Sequence, residues 1–461
     1  MKKTKADLII DIGKSNIKFL IFKKNNGLIL KKKVFINNFL IKKKSYSELD
    51  HQRLIDLIKK NIKSNINDFD LKSILPITHG SVSFLLDKNY EVLKSISDES
   101  KLDKKFNKKF ENKIKKIKNS YSPNLDYCHN LSKSLFYMKE NYNKIYNKNK
   151  ILLLYPNFIS YKLSGKISAD LSYLSNHSFL WDFKKQKINS FAKFLNLDKS
   201  LPNLNKNNNE LGKLLLNYSL NKDVSIFSGK HDSSCCYYFH KKKFKKNFAL
   251  LSTGTWMIIY NENGKLNQEK IKKDTHLSHS IDNKVIAVAR YPGGHEFKLL
   301  NKKVKEHPSI NINTINEIIK NKDLILPSFY KGGAFKDKIG KVIINRKINK
   351  RSNTYKYHLN MLYISFMTFY SLNLLSRKKI PIIIDGVFSK NKFFTQFISC
   401  LSDYRKVYVS RDENGVARGG YLIINKSMKL KNDYIEIEKD KRVLKLVSNY
   451  YKFWKKNLPI N

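Results

Sequence analysis

The chain contains nearly the same short pattern twice, roughly 240 residues apart. Residues 6–22 form an apolar run, a turn holding Gly13 and Ser15, and a second apolar run, and residues 248–260 repeat this plan around Gly254. Apolar and β-branched residues on either side of a glycine turn predict a β-hairpin, because glycine adopts backbone angles that a Cβ would penalise. Two such hairpins predict a duplicated domain.

Both turns offer backbone N–H groups and small hydroxyls with little side-chain bulk, which is the surface that a nucleotide phosphate needs to lie against the main chain. Neither turn matches the Walker A pattern Gly-x-x-x-x-Gly-Lys-Ser/Thr, and no Gly-x-Gly-x-x-Gly follows a predicted strand. Either turn alone would indicate only a structural hairpin. The pair favours an actin-like mode of binding ATP, with the nucleotide held between two similar domains.

Length and charge narrow the class of protein. A chain of 461 residues exceeds what one hydrophobic core usually supports, so two domains are expected. The formal net charge is +52, from 90 Lys and Arg against 38 Asp and Glu. These cations are mostly lysines scattered along the whole chain, whereas a nucleic-acid site shows clustered cations. We therefore expect a solvated lysine surface and no specific nucleic-acid partner; a polyanion-binding surface is the alternative.

Cysteine spacing and hydropathy bear on the compartment. The four cysteines include no Cys-x-x-Cys pair, which argues against a zinc site or a disulfide framework. Asp7 and Asp11 interrupt the apolar stretch near the N-terminus, so no signal-peptide core forms. Residues 361–375 form the longest apolar helical run, which is too short to span a bilayer comfortably and predicts a buried core helix. We expect a cytoplasmic protein with no membrane partner.

Between the hairpins, the pattern predicts two strands around His79 and Gly80 and helices over residues 127–142 and 152–163, the latter ended by Gly165. A strand is predicted over 224–228. A domain boundary falls in the lysine-rich run 240–247.

Asp232 is the side chain that the pattern singles out for chemistry. It follows the strand at 224–228, Gly229 and His231, and it precedes a run typical of a helix. One interpretation is a helix N-cap that accepts backbone N–H bonds. The other is a catalytic carboxylate, because Gly229 permits close approach and His231 adds a hydrogen-bonding group for a polar substrate.

Asp11 is the other informative acid. A carboxylate beside a phosphate turn can hold Mg²⁺ through water, since Mg²⁺ prefers one or two carboxylates plus phosphate oxygens; the alternative is an aspartate that only begins a turn. Lys18 could face a phosphate or solvent. His79, like His231, could contact a polyhydroxylated substrate or be a hydrogen-bonded core histidine. Trp256 is expected to pack rather than to stack on a sugar.

Five segments resemble the FGGY carbohydrate kinases in order and spacing. They are Asp11–Lys18, Thr78–Gly80, Ser228–Asp232, Ser252–Trp256 and Asp385–Asn391. The similarity covers almost the whole chain and looks closest to the rhamnulokinase and fuculokinase-like branch. It implies an α/β fold of two actin-like (RNase H-like) domains, with ATP and sugar in an interdomain cleft.

The resemblance also implies roles for individual residues. Asp232 matches the family's catalytic base. The ATP-binding residues are expected to be Asp11, Gly13, Lys14, Ser15, Asn16, Lys18, Thr253, Gly254, Thr255, Gly386 and Asn391. The substrate-binding residues are expected to be His79, Gly80 and His231. Asp11 is also expected to hold Mg²⁺, through water.

Two segments depart from the family pattern. Val387 and Phe388 stand where glycine is frequent in the adenosine segment, and Ala417-Arg-Gly-Gly420 replaces the frequent Gly-Ala-Ala helix start. Val387 and Phe388 predict a tighter nucleotide pocket. Because the pattern departs in these two segments, an inactive relative of the family is the alternative to an active kinase.

The resemblance implies two FGGY-type domains. Residues 1–245 are expected to hold the sugar site, the base and the first phosphate loop, and residues 246–461 the second phosphate loop and the adenosine site. The predicted activity is phosphorylation of a hydroxyl on a five- or six-carbon sugar, a ketose by the resemblance, with ATP and Mg²⁺ as cofactors. An actin-like ATPase or nucleotide sensor without sugar kinase activity is the alternative. A homodimer is one option for the oligomeric state.

Overall fold

A computed structural model describes residues 3–218, 223–302, 308–345, 352–375, 380–402 and 404–459. The chain divides into two compact units. Unit 1 comprises Met1–Phe244, Leu277–Val285 and Asn414–Leu430, and unit 2 comprises Lys245–His276, Ile286–Glu413 and Lys431–Asn461. The family-type domain boundary near residue 245 stays a prediction.

The strands in chain order are β1 (Lys5–Ile12), β2 (Asn16–Lys23), β3 (Ile29–Ile36), β4 (Leu40–Lys42), β5 (Ser47–Leu49), β6 (Asp70–Thr78), β7 (Ser83–Leu86), β8 (Val92–Ser95), β9 (Ile151–Leu154), β10 (Trp181–Asp182), β11 (Lys187–Ile188), β12 (Glu210–Lys213), β13 (Ser225–Phe227), β14 (Lys230–His231), β15 (Ala249–Thr253), β16 (Met257–Asn261), β17 (Thr275–His279), β18 (Val285–Tyr291), β19 (Leu324–Leu326), β20 (Lys341–Ile343), β21 (Ile382–Gly386), β22 (Val407–Val409) and β23 (Ile435–Glu436).

The helices are α1 (His51–Asp68), α2 (Lys104–Ile114), α3 (Leu131–Asn141), α4 (Asn143–Lys148), α5 (Tyr155–Ser164), α6 (Leu171–Leu174), α7 (Ser190–Phe194), α8 (Leu197–Ser200), α9 (Asp232–Phe244), α10 (Gln268–Lys272), α11 (Gly293–Leu300), α12 (Ile312–Lys320), α13 (Asn353–Leu375), α14 (Lys392–Leu401), α15 (Gly415–Ile424) and α16 (Lys441–Lys456). A short 3-10 helix covers Val387–Lys390.

Unit 1 is built on a sheet in the order β12–β13–β6–β1–β2–β3, with β14 beside β6. β1 lies between an antiparallel neighbour, β2, and a parallel one, β6. Both of its faces are covered, because Leu8 and Ile10 belong to one buried cluster and Ile9 to another. Such two-sided burial explains the nearly continuous apolar run of this strand.

The second buried cluster of unit 1 lies under α9 and α15. It joins Ile9 and Leu75 of the sheet to Cys235 and Phe239 of α9 and Tyr421 of α15. A Cβ at Gly419 would overlap the carbonyl of Cys235, so glycine permits the close approach of the two helices. Asp232 begins one of these tightly held helices.

Six strands of unit 2 follow one another in the order β18–β16–β15–β21–β22–β23. β15 and β16 form an antiparallel hairpin, and β15 pairs with β21 in parallel. Both hairpins predicted from the repeated pattern are therefore confirmed, as is the two-domain α/β fold class. The predicted core helix is confirmed as α13, most of whose side chains are buried.

Two helix predictions are wrong at their first residues. Residues 127–130 precede α3, because the Asn130 side chain accepts from Leu125 N (2.8 Å) and donates to Pro123 O (3.0 Å), which holds a loop before the helix. Leu152 lies in β9, paired with Leu85. A short apolar run fits a strand or a helix equally well.

Among the described residues, no helix combines the length and the apolar character that crossing a membrane requires.

Candidate active site

The first glycine turn is an exposed loop held from both sides. Gly13 N donates to Asn16 O across the turn (2.9 Å), and the Asn37 amide donates to Gly13 O (2.7 Å). Lys14, Ser15 and Asn16 are exposed. The turn therefore presents main chain and small side chains on a fixed backbone, as a phosphate site requires.

Asp11 lies at the end of β1, just before this turn, and is 5% exposed. The Lys18 ammonium donates to its Oδ2 at 3.2 Å. Burial raises the pKa of Asp11, Lys18 opposes that rise, and the negative charge of Asp232 adds to it. Asp11 and Asp232 thus repel each other electrostatically within unit 1.

We expect Asp11→Asn to raise the free energy of unfolding at pH 7. Because the folded-state pKa of Asp11 lies above its unfolded value, the ionised carboxylate destabilises the fold at high pH, and this cost disappears as the pH falls through the folded-state pKa. Denaturant titrations at several pH values between 7 and about 4 measure the difference from wild type. A gain that does not shrink with falling pH would contradict the desolvation argument.

Asp232 is the first residue of α9, and its side chain is 26% exposed. Its Oδ1 accepts from the backbone N–H (2.6 Å) and the hydroxyl (3.1 Å) of Ser233. An N-cap carboxylate accepts instead from the N–H groups two or three residues on. Within the described residues, Oδ2 has no hydrogen-bond donor. Ser233 therefore fixes Oδ1 of Asp232, and Oδ2 is available to accept a hydrogen bond from a bound substrate.

His231 packs beside this carboxylate, with its Nε2 3.4 Å from Asp232 Oδ1. Burial lowers the pKa of His231, so the ring is neutral at pH 7. Asn176 donates to Nε2 (3.1 Å), and Nδ1 donates to the Ser234 hydroxyl (3.2 Å). The imidazole is therefore a fixed neutral group rather than a counter-charge for Asp232.

His79 and Gly80 follow β6 and lie close to His231. A Cβ at Gly80 would lie 3.4 Å from His231 Nε2, so glycine leaves this space open. His79 donates through Nδ1 to Gly80 O (2.8 Å), and the same nitrogen lies 3.9 Å from Asp98 Oδ2. We call His79, Asp98, Asn176, His231 and Asp232 the polar cluster of unit 1.

Lys14 connects the first turn to this cluster. Its ammonium lies 2.8 Å from Asp98 Oδ2 and 3.4 Å from His129 Nε2. Burial alone would raise the pKa of Asp98, but the charges of Lys14, His79 and His129 hold it below its ordinary value. Asp98 is only 2% exposed, and its lowered pKa keeps it ionised at neutral pH.

A buried polar network supports the segment that carries Asp232. Gly229 N donates to the Ser160 hydroxyl (2.8 Å), and the Asn157 amide donates to the Ser228 hydroxyl (3.0 Å). Lys230 donates to Asp170 Oδ2 at 2.7 Å, with the two side chains 2% and 4% exposed. α5, α6 and β14 thus fix the backbone immediately before the candidate base.

In unit 2, the second glycine turn is joined to the segment after β21. The Thr253 hydroxyl donates to Asp385 O (2.5 Å) and accepts from Phe388 N (3.0 Å). Gly386 has φ +86°, and a Cβ there would overlap Thr253 O. Asn391 caps α14 and donates to Tyr357 OH (2.9 Å). The side chains of Thr253 and Asn391 thus have structural partners, whereas Gly254 and Thr255 lie at the open turn.

The structure brings the predicted residues together in two groups. Unit 1 collects Asp11, the first turn, His79, Gly80, His231 and Asp232, and unit 2 collects Thr253, Gly254, Thr255, Gly386 and Asn391. The sequence analysis missed Asp98, Asn176, Asp170 and Lys230. Asp98, Asn176 and Asp170 carry no motif of their own, because tertiary folding brings them beside the predicted residues from distant loops and from the start of α6. Lys230 lies inside the Ser228–Asp232 segment, but only its burial against Asp170 reveals its role.

The sequence matches two family descriptions that together span most of the chain. Residues 7–237 match "FGGY family of carbohydrate kinases, N-terminal domain", and residues 245–432 match "Carbohydrate kinase FGGY, C-terminal domain". A search of curated proteins finds no match to the sequence.

Solved structures are similar over the full length. A carbohydrate kinase from Novosphingobium aromaticivorans is 18% identical with a TM-score of 0.87, covering 99% of both chains. A xylulose kinase from Lactobacillus acidophilus is 13% identical with a TM-score of 0.83, covering 98% of this chain and 97% of that one. Plasmodium falciparum glycerol kinase with ADP is 13% identical with a TM-score of 0.80, covering 100% and 99%. At these identities the likeness shows a shared fold.

Proposed function

This chain belongs to the FGGY family of carbohydrate kinases, and we propose that it transfers the γ-phosphoryl group of ATP to a hydroxyl of a five- or six-carbon sugar. The observation that supports this most is Asp232, with one carboxylate oxygen fixed by Ser233 and the other unpartnered among the described residues. Sugar-dependent release of ADP is the direct experimental test.

Asp232 is the proposed general base. Phosphoryl transfer passes through a loose transition state, so the protein contributes mainly by positioning the reactants and stabilising charge. The free Oδ2 would accept the proton of the attacking hydroxyl as its oxygen approaches the γ-phosphorus. The Ser233 bonds to Oδ1 keep the carboxylate in one orientation.

Asp11 is the proposed ligand of Mg²⁺, through water. The residues fit such an ion, because Asp11 and Asp232 are two oxygen donors, and burial raises the pKa of Asp11 with the negative charge of Asp232 adding to the rise. Mg²⁺ bound with ATP would neutralise phosphate charge during transfer. Lys18 already offsets part of the Asp11 charge in the protein alone.

ATP is proposed to contact both glycine turns. In unit 1, Gly13, Ser15, Asn16 and the main chain of Lys14 would face phosphate oxygens, with Lys18 as a nearby cation. In unit 2, Gly254 and Thr255 would also face phosphate oxygens. Gly386 would contact the adenosine, and the hydrogen bonds of Thr253 and Asn391 would hold that segment in place.

The acceptor is proposed to be a ketose, such as the deoxyketohexoses that the resemblance to the rhamnulokinase and fuculokinase-like branch suggests. The polar cluster offers carboxylate, amide and neutral imidazole groups at fixed positions, which suits a ligand rich in hydroxyls. Gly80 would leave room for the sugar beside His79 and His231. A site built from buried hydrogen-bonding groups rejects analogues that lack the matching hydroxyl.

Two glycine variants of unit 2 test the nucleotide proposal. In Gly254→Ala the new Cβ would meet no atom closer than 3.6 Å, so the fold should survive while the methyl group obstructs an approaching phosphate. In Gly386→Ala the Cβ would overlap Thr253 O at a positive φ, so we expect a stability loss of more than about 1 kcal/mol.

Melting curves and ADP titrations of both variants give the comparison. A Gly254→Ala protein that melts normally and binds ADP as tightly as wild type would contradict a phosphate contact at this turn.

A further inference from the structure

Arg290 of unit 2 is a buried cation that the proposed function leaves without a role. It lies at the end of β18 and is 7% exposed. Its Nη1 is buried, and no group in the described parts of the chain accepts a hydrogen bond from it. A guanidinium stays charged in proteins and carries five N–H donors in a planar fork. Burying such a group without acceptors costs free energy.

The nearest carboxylate only partly compensates Arg290. Asp274 Oδ1 lies 3.9 Å from Nη1, beyond hydrogen-bond distance, and this oxygen too is buried without a donor among the described residues. The other oxygen of Asp274 accepts from Gly333 N at 3.0 Å. The pair therefore balances charge but leaves Nη1 of Arg290 without an acceptor among the described residues.

The guanidinium of Arg290 lies over the ring of Trp256, with its Cζ 4.4 Å from the ring centroid. The ring is itself held in place, because a Cβ at Gly332 would lie 2.5 Å from it. Stacking on an aromatic face occupies the plane of a guanidinium and leaves its edge available. That edge matches the two oxygens of a phosphate or carboxylate group.

Arg290 belongs to the same local structure as the second glycine turn. Trp256 directly follows Thr255, and His295 N donates to Thr255 O at 3.2 Å. A Cβ at Gly294 would overlap Gly254 O, so the start of α11 is packed onto the turn. The N-terminus of a helix favours anions.

We propose that Arg290 binds a phosphate group beside the second glycine turn. The phosphate has two sources in a kinase, the nucleotide and the phosphorylated product, and both present the same tetrahedral oxyanion. The inference rests on the proposed function for the origin of this phosphate, but the binding of the anion can be measured without turnover.

The test compares Arg290→Gln and Arg290→Lys with the matched control Arg405→Gln. Arg405 also lies in unit 2 over an aromatic ring, 5.1 Å from the Phe369 centroid, but it already donates to Asn373 Oδ1 at 3.2 Å. Calorimetry measures the affinities of ADP and adenosine, and thermal shift measures stabilisation by inorganic phosphate.

For Arg290→Gln we expect ADP affinity to fall about 10- to 100-fold, the usual effect of losing hydrogen bonds to a charged group, while adenosine affinity stays unchanged. Arg290→Lys keeps the positive charge but lacks the planar set of guanidinium donors, so its ADP affinity should fall less. If Arg290→Gln unfolds at a lower temperature than wild type, Arg290→Lys serves as the folded variant. Arg405→Gln should bind all three probes like wild type.

The outcomes separate the two sources. If only the affinity for ADP falls, the phosphate bound by Arg290 belongs to the nucleotide. If only the stabilisation by inorganic phosphate is lost, it belongs to the phosphorylated product. Unchanged affinities, or equal losses for ADP and adenosine, would overturn the proposal. Wild-type protein that binds ADP but phosphorylates no sugar would instead contradict the proposed function and leave the Arg290 result standing.

Discussion

Asp232→Asn is expected to lower sugar-dependent turnover by about 10²- to 10⁴-fold, the usual contribution of a general base. The amide keeps the shape of the side chain and can still accept from Ser233 through its oxygen, but it cannot take the proton of the attacking hydroxyl. The measurement is the rate of ADP release at saturating sugar, with a melting curve and an ADP titration on the same preparation.

Asp103→Asn is the matched control for this experiment. Asp103 also lies at a helix N-terminus in unit 1, where it caps α2 by accepting from Phe106 N at 2.8 Å. Asparagine caps helices about as well as aspartate, so this variant should keep full turnover. An Asp232→Asn protein that folds, binds ADP and retains nearly full activity would reduce Asp232 to a structural residue.

Lys230→Met is expected to lower the free energy of unfolding by about 3–5 kcal/mol, because it leaves the buried Asp170 carboxylate without its cation. The ion pair is 2.7 Å long, and both side chains are nearly inaccessible to water. The same change should reduce turnover in the folded fraction, since Lys230 directly precedes His231 and Asp232. Urea titrations at pH 7 measure the stability loss.

Two further variants make this prediction specific. The double variant Lys230→Met/Asp170→Asn removes both charges but keeps a side-chain oxygen to cap α6, so it should be more stable than the single variant. Lys390→Met breaks the exposed pair with Glu413 and should cost less than about 1 kcal/mol. A single variant as stable as wild type, or a double variant no more stable than the single, would contradict the buried-pair argument.

Much of the fold could be predicted from local sequence patterns. The two hairpins follow from apolar runs on either side of Gly13 and Gly254, and both form as expected. Asp232 was predicted at a helix N-terminus, and it is the first residue of α9. The resemblance to the family is confirmed over residues 7–237 and 245–432. The remaining candidate residues were predicted from that resemblance.

Contacts between distant segments were not predictable in the same way. Lys14 looks like part of a phosphate turn in the sequence, but its ammonium pairs with Asp98, which lies 84 positions further on in a loop after β8. Arg290 has no sequence signal at all, since its unusual state arises from burial against Trp256 and Asp274. Sequence patterns report periodicity and turns, whereas burial and pairing of charges depend on the whole fold.

The most direct measurement of the central claim is ADP release across a panel of ketoses, aldoses and polyols, with the phosphorylated product identified by mass. The proposed function predicts that one or a few five- or six-carbon ketoses stimulate ADP release, with one phosphosugar formed for each ADP. ATP turnover that no sugar changes would contradict it and favour an actin-like ATPase or nucleotide sensor. Activity on glycerol alone would contradict the assignment of the acceptor.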